Sequence, residues 1–270
     1  MQATVLITGS TDGIGLETAR RMVSAGHRVL LHGRNPSKLD RALSELAALP
    51  GDGSVEGFNA DLSDLSEVEA LAQAVAGQHT RLDALINNAG VFVAPETRTG
   101  DGLDVRFAVN AIAPYLLTKR LLPQLGSAGR VVNLSSAAQS PVDLEALAGK
   151  VELADGPAYA QSKLALTMWS RSLALELGDA GPVIVAVNPG SMLGTKMVKQ
   201  AYGVAGADIG IGAEVLCRAA LAPDFADASG RYFDNDSGHF ASPHPDALDP
   251  RKNASVVRAI EEVLAGTRAR

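Results

Sequence analysis

Tyr159 and Lys163 stand four residues apart in Tyr159-Ala160-Gln161-Ser162-Lys163, within a stretch rich in alanine and leucine. On a helix, residues four apart are neighbours on one face. A free tyrosine titrates near ~10, too high for a base at neutral pH, but a neighbouring ammonium favours the phenolate and lowers that value. Such a pair suits proton transfer at a substrate oxygen, the step that must accompany hydride movement between an alcohol and a carbonyl. YxxxK also arises by chance, as a core tyrosine beside a solvated lysine, so the pair needs context.

Context comes from Thr8-Gly9-Ser10-Thr11-Asp12-Gly13-Ile14-Gly15, which lies between an apolar run and a helical pattern near the N-terminus. Glycines there allow a tight turn and close approach to a pyrophosphate, and a helix N-terminus offers free N–H groups. Gly9, Ser10, Thr11, Gly13, Ile14 and Gly15 are therefore candidate contacts to a dinucleotide. Ser136 ends another apolar run, at the sheet edge where open α/β folds bind ligands, and its hydroxyl suits a developing oxyanion. Ser135 is the adjacent candidate, and strand alternation lets only one of the two face the substrate. Asn88 and Gly90 end a further run at the same edge. The second run closes as Leu31-His32-Gly33-Arg34-Asn35, with no carboxylate until Asp40. An NAD-preferring fold carries an acidic residue there, whereas Arg34 offers a planar fork for a phosphate. NADP(H) is the expected preference, with NAD(H) also possible; Asp12, where a second basic residue would help, tempers it.

The elements that must position these residues alternate. Runs rich in Val, Ile and Leu occur at Ala3–Thr8, Arg28–His32, Val55–Ala60, Ala84–Asn87, Arg130–Leu134 and Val183–Asn188. They are continuously apolar, as when both faces of a parallel strand are covered. Helical spacing separates them, with Asn35-Pro36 supplying an N-cap and first-turn proline for the second helix. The expected fold is α/β: a doubly wound, Rossmann-type parallel sheet with helices on both faces. No linker or composition shift divides residues 1–270, which read as one domain. Two connections are long, Ala137–Gly156 and Ser191–Ala207, where a substrate lid would sit. Their Val142, Leu144, Leu147, Met192, Val198 and Tyr202 imply a mainly apolar pocket. Trp169, Met168 and Leu173 read as core or subunit interface, and one helix is expected over Leu103–Leu122.

Taken in order, the glycine loop, Asn87-Asn88-Ala89-Gly90, Asn133-Leu134-Ser135-Ser136, the Tyr159–Lys163 segment and Pro189-Gly190 resemble the short-chain dehydrogenases/reductases, from about Thr4 to Tyr232. The resemblance implies a parallel sheet of about seven strands and hydride transfer between NAD(P)(H) and an alcohol/carbonyl pair. It implies a catalytic set of Asn110, Ser136, Tyr159 and Lys163, with Asn110 holding a water that relays protons from Lys163. It places Asp61 and Leu62 near the adenine, Asn88, Ala89 and Gly90 along the cofactor, and Pro189, Gly190 and Thr195 around the nicotinamide. Asp61 also suits an N-cap. Ser136 precedes Tyr159 by 23 residues, where most of the family shows about a dozen; the longer gap resembles the retinol-dehydrogenase-like and WW-domain-oxidoreductase-like branch. It implies that Ala137–Gly156 folds over the site. Homo-oligomers built on the catalytic helix are common in the family.

Other classes fit less well. The chain has 270 residues and a formal charge of −6, with no basic cluster to suit nucleic acid or an anionic membrane. A single cysteine, Cys217, excludes an internal disulfide and a cysteine metal cluster. His27, His32, His79, His239 and His244 are scattered without metal-ligand spacing, so no metal is expected. No serine sits in a G-x-S-x-G elbow, against a hydrolase. No charged leader precedes the first apolar run and no run approaches ~20 residues, so a cytoplasmic location is expected. A catalytically silent nucleotide sensor on the same fold usually lacks the Tyr or Lys. An epimerase or dehydratase usually carries a larger C-terminal part than the about 75 residues after Gly194. The expected partner is a small, mainly apolar carbonyl or alcohol.

Overall fold

The computed structural model describes residues 2–268, apart from the side chains of Ala201, Tyr202 and Arg268. Strands β1 (Thr4–Ile7), β2 (Arg28–Gly33), β3 (Ser54–Asn59), β4 (Ala84–Asn87), β5 (Arg130–Leu134) and β6 (Val183–Asn188) fall within one residue of the apolar runs. Two more follow, β7 (Tyr232–Asp234) and β8 (His239–Ala241), and β8 pairs antiparallel with β7. Among the described residues the sheet thus has eight strands, in the order β3-β2-β1-β4-β5-β6-β7-β8, one more than about seven. β7 and β8 are three residues each around an Asn235–Gly238 turn, too short for an apolar run to announce them.

Helices cover both faces: α1 (Gly13–Ser24), α2 (Pro36–Ala47), α3 (Leu65–Gln78), α4 (Val105–Phe107), α5 (Ala113–Leu125), α6 (Leu144–Leu147), α7 (Asp155–Leu177), α8 (Lys196–Tyr202), α9 (Ile209–Leu221), α10 (Pro245–Leu248) and α11 (Pro250–Arg268). Alternation along β1 explains why the runs are apolar throughout. Val5 and Ile7 enter one core with Met22 of α1 and Leu216 of α9, while Leu6 enters the other with Leu117 of α5 and Trp169 of α7. The Asn35 side chain accepts from the Lys38 N–H and caps α2, with Pro36 in its first turn. The cap of α3 is Asp64 rather than Asp61, whose carboxylate accepts from the N–H and hydroxyl of Ser63.

Three differences from expectation shape the site. The helix over Leu103–Leu122 is broken by a π-turn, Ala108–Ile112. Pro114 follows and has no N–H to return to the Asn110 carbonyl, so the α ladder cannot continue there. The insertion 137–154 does not fold over the cleft. Leu147 is fully buried in the core, and Val142, Leu144 and Leu153 pack against it. Finally, the exposed side of α5 and α7 is covered by the chain itself. Helix α11 adds Val256 and Ile260 to that core, and the Tyr115 hydroxyl donates to Glu261 at 2.8 Å. Trp169, Met168 and Leu173 are therefore core, not subunit interface, with Trp169 Nε1 donating to the Ala111 carbonyl.

Candidate active site

The strand order reverses between β1 and β4, and a cleft of about 870 Å³ opens outside their carboxyl ends. Open α/β sheets bind ligands at that switch point. One wall is the glycine loop. Gly9 has φ +63°, and a Cβ on it would lie 2.8 Å from the Ala89 Cα; a Cβ on Gly15 would lie 2.4 Å from Asn88 Nδ2. Asn88 Nδ2 donates to the carbonyls of Thr8 and Gly9, and Thr8 Oγ1 accepts from the N–H groups of Asn88 and Ala89. The turns after β1 and β4 are thus tied together, which holds the loop open toward the cleft. Asp12 caps α1 and pairs with Lys196 across the cleft, so its charge at the helix N-terminus is offset.

His32 is a structural residue the sequence did not reveal. Buried at the end of β2, its Nδ1 accepts from the Gly9 N–H at 3.1 Å, so Nε2 carries the proton and donates to the Ala60 carbonyl at 3.0 Å. Burial pushes its pKa down to about 4. Ser10 is spent on the same strand. Its N–H donates to the His32 carbonyl and its Oγ accepts from the His32 N–H, so its side chain does not line the cleft as a cofactor contact would. Gly15 and Asn110 likewise stand behind the wall. Thr11, Gly13, Ile14, Arg34, Asp61 and Leu62 line it. So do Asn88, Ala89, Gly90, Pro189, Gly190 and Thr195. A Cβ on Gly33 would lie 2.4 Å from Thr11 Cγ2, a tight join between the glycine loop and the end of β2.

At the far end of the cleft lie Tyr159 and Lys163, one turn apart on α7. Lys163 Nζ donates to the Leu134 carbonyl at 2.8 Å and sits 5.6 Å from the centre of the Tyr159 ring. Burial pushes the Lys163 ammonium down to about 8. The Phe92 ring packs on Tyr159, centroids 4.8 Å apart. Asn110 is held in the π-turn by both its polar atoms. Oδ1 accepts from the Val91 N–H, while Nδ2 donates to the Val91 carbonyl and to Ser162 Oγ. Gly90 lies between them: a Cβ there would be 3.5 Å from both Asn110 Oδ1 and Lys163 Nζ.

The two serines after β5 part as alternation requires. Ser135 Oγ is buried, 2.7 Å from Thr167 Oγ1 on α7, and accepts from Gln139 Nε2. Ser136 is half-buried in the cleft wall. Its Oγ accepts from the Ala138 N–H, and its carbonyl accepts from Gln139 Nε2 and the Tyr232 hydroxyl. The loop at Pro189-Gly190 is braced from the β7–β8 turn. Asp236 accepts from the Ser191 N–H and hydroxyl and from Asn188, and Asn235 donates to the Pro189 carbonyl. Burial would raise the Asp236 pKa, but the bonds from Ser191 and Asn188 carry it below the usual range. Only the Asn-Asp-rich composition of this turn could have pointed to it. Of the expected apolar lining, Met192 and Val198 are present, Val142, Leu144 and Leu147 are absent, and the Tyr202 side chain lies outside the described residues.

A helix N-terminus behind a loop that no side chain can fill, beside a Tyr–Lys pair, fits a pyridine dinucleotide and defines a dinucleotide-dependent oxidoreductase fold. The family model for short chain dehydrogenase matches residues 3–205, and the chain belongs to that family. It is 35% identical to mouse (Mus musculus) retinol dehydrogenase 12 over 242 residues, 85% of this chain and 76% of that protein. It is 38% identical to the bovine (Bos taurus) retinol dehydrogenase 12 over 73% of this chain, a match spanning 64% of that protein, under two thirds of its length. Among solved structures, the Pseudomonas aeruginosa RhlG/NADP active-site complex superposes with TM-score 0.68 at 26% identity, covering 87% of this chain and 95% of that one. Among the described residues no helix is long and apolar enough to cross a membrane.

Proposed function

We propose that the protein interconverts a mainly apolar carbonyl and its alcohol, preferring NADP(H), with Tyr159 as the acid/base. The observation that carries this reading is Lys163, a buried ammonium held on the Leu134 carbonyl one turn from Tyr159 at the floor of the cleft. Its charge stabilises a Tyr159 phenolate, so the hydroxyl can give its proton to a carbonyl oxygen in reduction and take one back in oxidation. Ser136 donates a second hydrogen bond to the same oxygen and steadies charge there. Asn110 holds the Val91 backbone and Ser162, and its role in this reading is to seat a water that relays protons from Lys163. The glycine loop, Arg34, Asp61, Leu62 and Asn88-Ala89-Gly90 would hold the adenosine and phosphates of NADP(H), and Pro189, Gly190 and Thr195 its nicotinamide end, and the cofactor would supply or accept the hydride. Phe92, Val105, Val109, Met192, Met197 and Val198 make the substrate end largely apolar, which favours a lipophilic substrate of the kind retinol dehydrogenases are named for. A panel of apolar and polar aldehydes and ketones, followed by loss of NADPH or NADH absorbance, tests it. Stoichiometric oxidation of NADPH with apolar carbonyls is expected; no turnover with either cofactor on any member would overturn the reading.

A further inference from the structure

Arg106 has no exposed side-chain surface, a rare setting for a guanidinium. It lies in α4, four residues before Asn110. Its Nε and Nη2 donate to the two oxygens of Asp104, at 2.8 and 2.5 Å, in a fork-to-fork pair. Its Nη1 donates to Asp155, the first residue of α7, four residues before Tyr159. Asp104 is buried as well and caps α4 by accepting the Arg106 N–H. One cation therefore joins two segments, one a helical turn ahead of Asn110, behind the cleft wall, and the other a turn ahead of Tyr159, in it. None of the three lines the cleft itself.

Stability alone is a poor account of this cluster, because buried ion pairs roughly break even against apolar packing of the same shape. Its placement gives a better one. Asn110 reaches α7 through Ser162, whose hydroxyl donates to the Tyr159 carbonyl. Ala160, Gln161 and Lys163 are tied to other elements as well, but like Ser162 they follow Tyr159; a second attachment, through Asp155, fixes the turn ahead of it. The π-turn makes the second attachment necessary, since its widened backbone does not hold Asn110 by a regular ladder.

We propose that Arg106, through Asp104 and Asp155, is a positioning residue that sets the start of α7 against the π-turn and so fixes the Tyr159 hydroxyl relative to Lys163. This rests on the assignment of proton transfer to Tyr159. The charged groups on the elements that pack around Tyr159 are Lys163 and Asp155 on its own helix and Arg106 and Asp104 before the π-turn, while Glu96 and Arg98 from the loop after β4 and Lys196 of α8 line the same cleft. Removing the Asp155 charge by itself favours the phenolate and moves the pH profile of alcohol oxidation down. Loosening Tyr159 from Lys163 moves it up. The sign separates the two causes.

The test uses the full chain with Asp155→Ala, chosen because Asp155 is half-exposed and the fold should survive its loss. We expect kcat to fall about tenfold, as misplacement of a reacting group does, with the profile displaced to higher pH and NADPH affinity, read by fluorescence titration, unchanged. Hydrogen exchange of the Tyr159–Lys163 amides without cofactor should quicken. Asp155→Asn keeps an acceptor for Nη1 and should restore most of kcat. Arg120→Gln breaks a bidentate pair with Glu69 between α5 and α3 and should leave kcat unchanged. A profile that stays put or moves down in Asp155→Ala, or a loss confined to melting temperature, overturns the proposal. Tyr159→Phe separates the layers. If it turns over normally, the reading of the site fails and the clamp with it; if it is inactive while Asp155→Ala behaves as wild type, the clamp alone fails.

Discussion

Residues 137–154 and 191–207 leave neighbouring strands, β5 and β6, at the same edge of the sheet and are nearly equal in length, yet they do opposite things. The first gives only Ala137 and Ala138 to the cleft and turns Val142, Leu144, Ala146, Leu147 and Leu153 to the core instead, with Leu147 fully inside and Asp143 capping the short α6. It also braces the loop after β4, since Arg98 donates to the Gly149 carbonyl. The second runs along the cleft with Met192, Leu193, Thr195, Lys196, Met197 and Val198. Its glycines close it on itself: a Cβ on Gly194 would lie 2.9 Å from the Ala207 carbonyl oxygen. The neighbours on offer decide between these fates, since α11 completes the core that receives the first. Val142, Leu144 and Leu147 on one turn form a face that a neighbouring core can take up, whereas exposed methionines among glycines have no such face and adapt to a ligand instead.

The largest effect should fall between these two walls. Tyr159→Phe should lower turnover by ~10²–10⁴, typical for loss of a general acid–base group, with NADPH affinity and melting temperature little changed. Near-normal turnover would remove the reason to regard either wall as a substrate wall.

Paired truncations sharpen the comparison itself. Leu147→Ala opens a cavity in a packed core and should cost about 2–5 kcal/mol of stability, read by denaturant unfolding. Its KM for an apolar carbonyl should stay near wild type. Val198→Ala on the cleft should do the reverse, raising KM with stability changed by less than about 1 kcal/mol. If Leu147→Ala raised KM instead, the insertion would belong to the cleft after all.

A third difference sets the glycine loop apart from both connections, because it is held by a group that titrates. His32 is neutral in the fold, with its pKa at about 4 against 6.5 for a free histidine. The unfolded chain therefore takes up a proton at a pH where the folded chain does not. The stabilisation is complete above pH 6.5 and is lost as pH falls toward 4, reaching up to about 3 kcal/mol. His32→Asn keeps an acceptor near the Gly9 N–H and should flatten that slope; an unchanged slope would assign it to other groups.

What could be read beforehand follows the same division. β1 to β6 and the glycine loop are spelled by residues close in sequence, such as the Val5-Leu6-Ile7 run and Asn35-Pro36. The Tyr159–Lys163 pair was legible because one helical turn relates the two residues. His32, Asp236 and the burial of Ser10 were not, because each is defined by a partner on another strand. Ser135 and Ser136 were separable by alternation, but the fate of Val142, Leu144 and Leu147 turned on α11, more than a hundred residues away.

The smallest expected effect concerns the cofactor, and there the structure changes the experiment the sequence calls for. On the proposed reading, Gly33 and Arg34, which leave the end of β2 without a carboxylate, favour a phosphate over a bare ribose. Replacing Gly33 by Asp is the direct way to invert that, but its Cβ would meet Thr11 Cγ2 at 2.4 Å. Thr11 Oγ1 and Cβ lie at 3.3 and 3.5 Å, distances that a small adjustment tolerates. Thr11→Ser removes the obstructing methyl and keeps the hydroxyl. Gly33→Asp alone should therefore weaken both cofactors through displacement of the glycine loop, while Thr11→Ser/Gly33→Asp should move the preference toward NADH. A charge-assisted contact is worth ~1.5–3 kcal/mol, so the NADPH/NADH ratio of kcat/KM should shift by on the order of tenfold or more. The two substitutions should be non-additive, since the methyl matters only when position 33 carries a side chain. Additive effects would mean that Thr11 moves aside freely; a wild type that already prefers NADH would show instead that Arg34 does not read the phosphate.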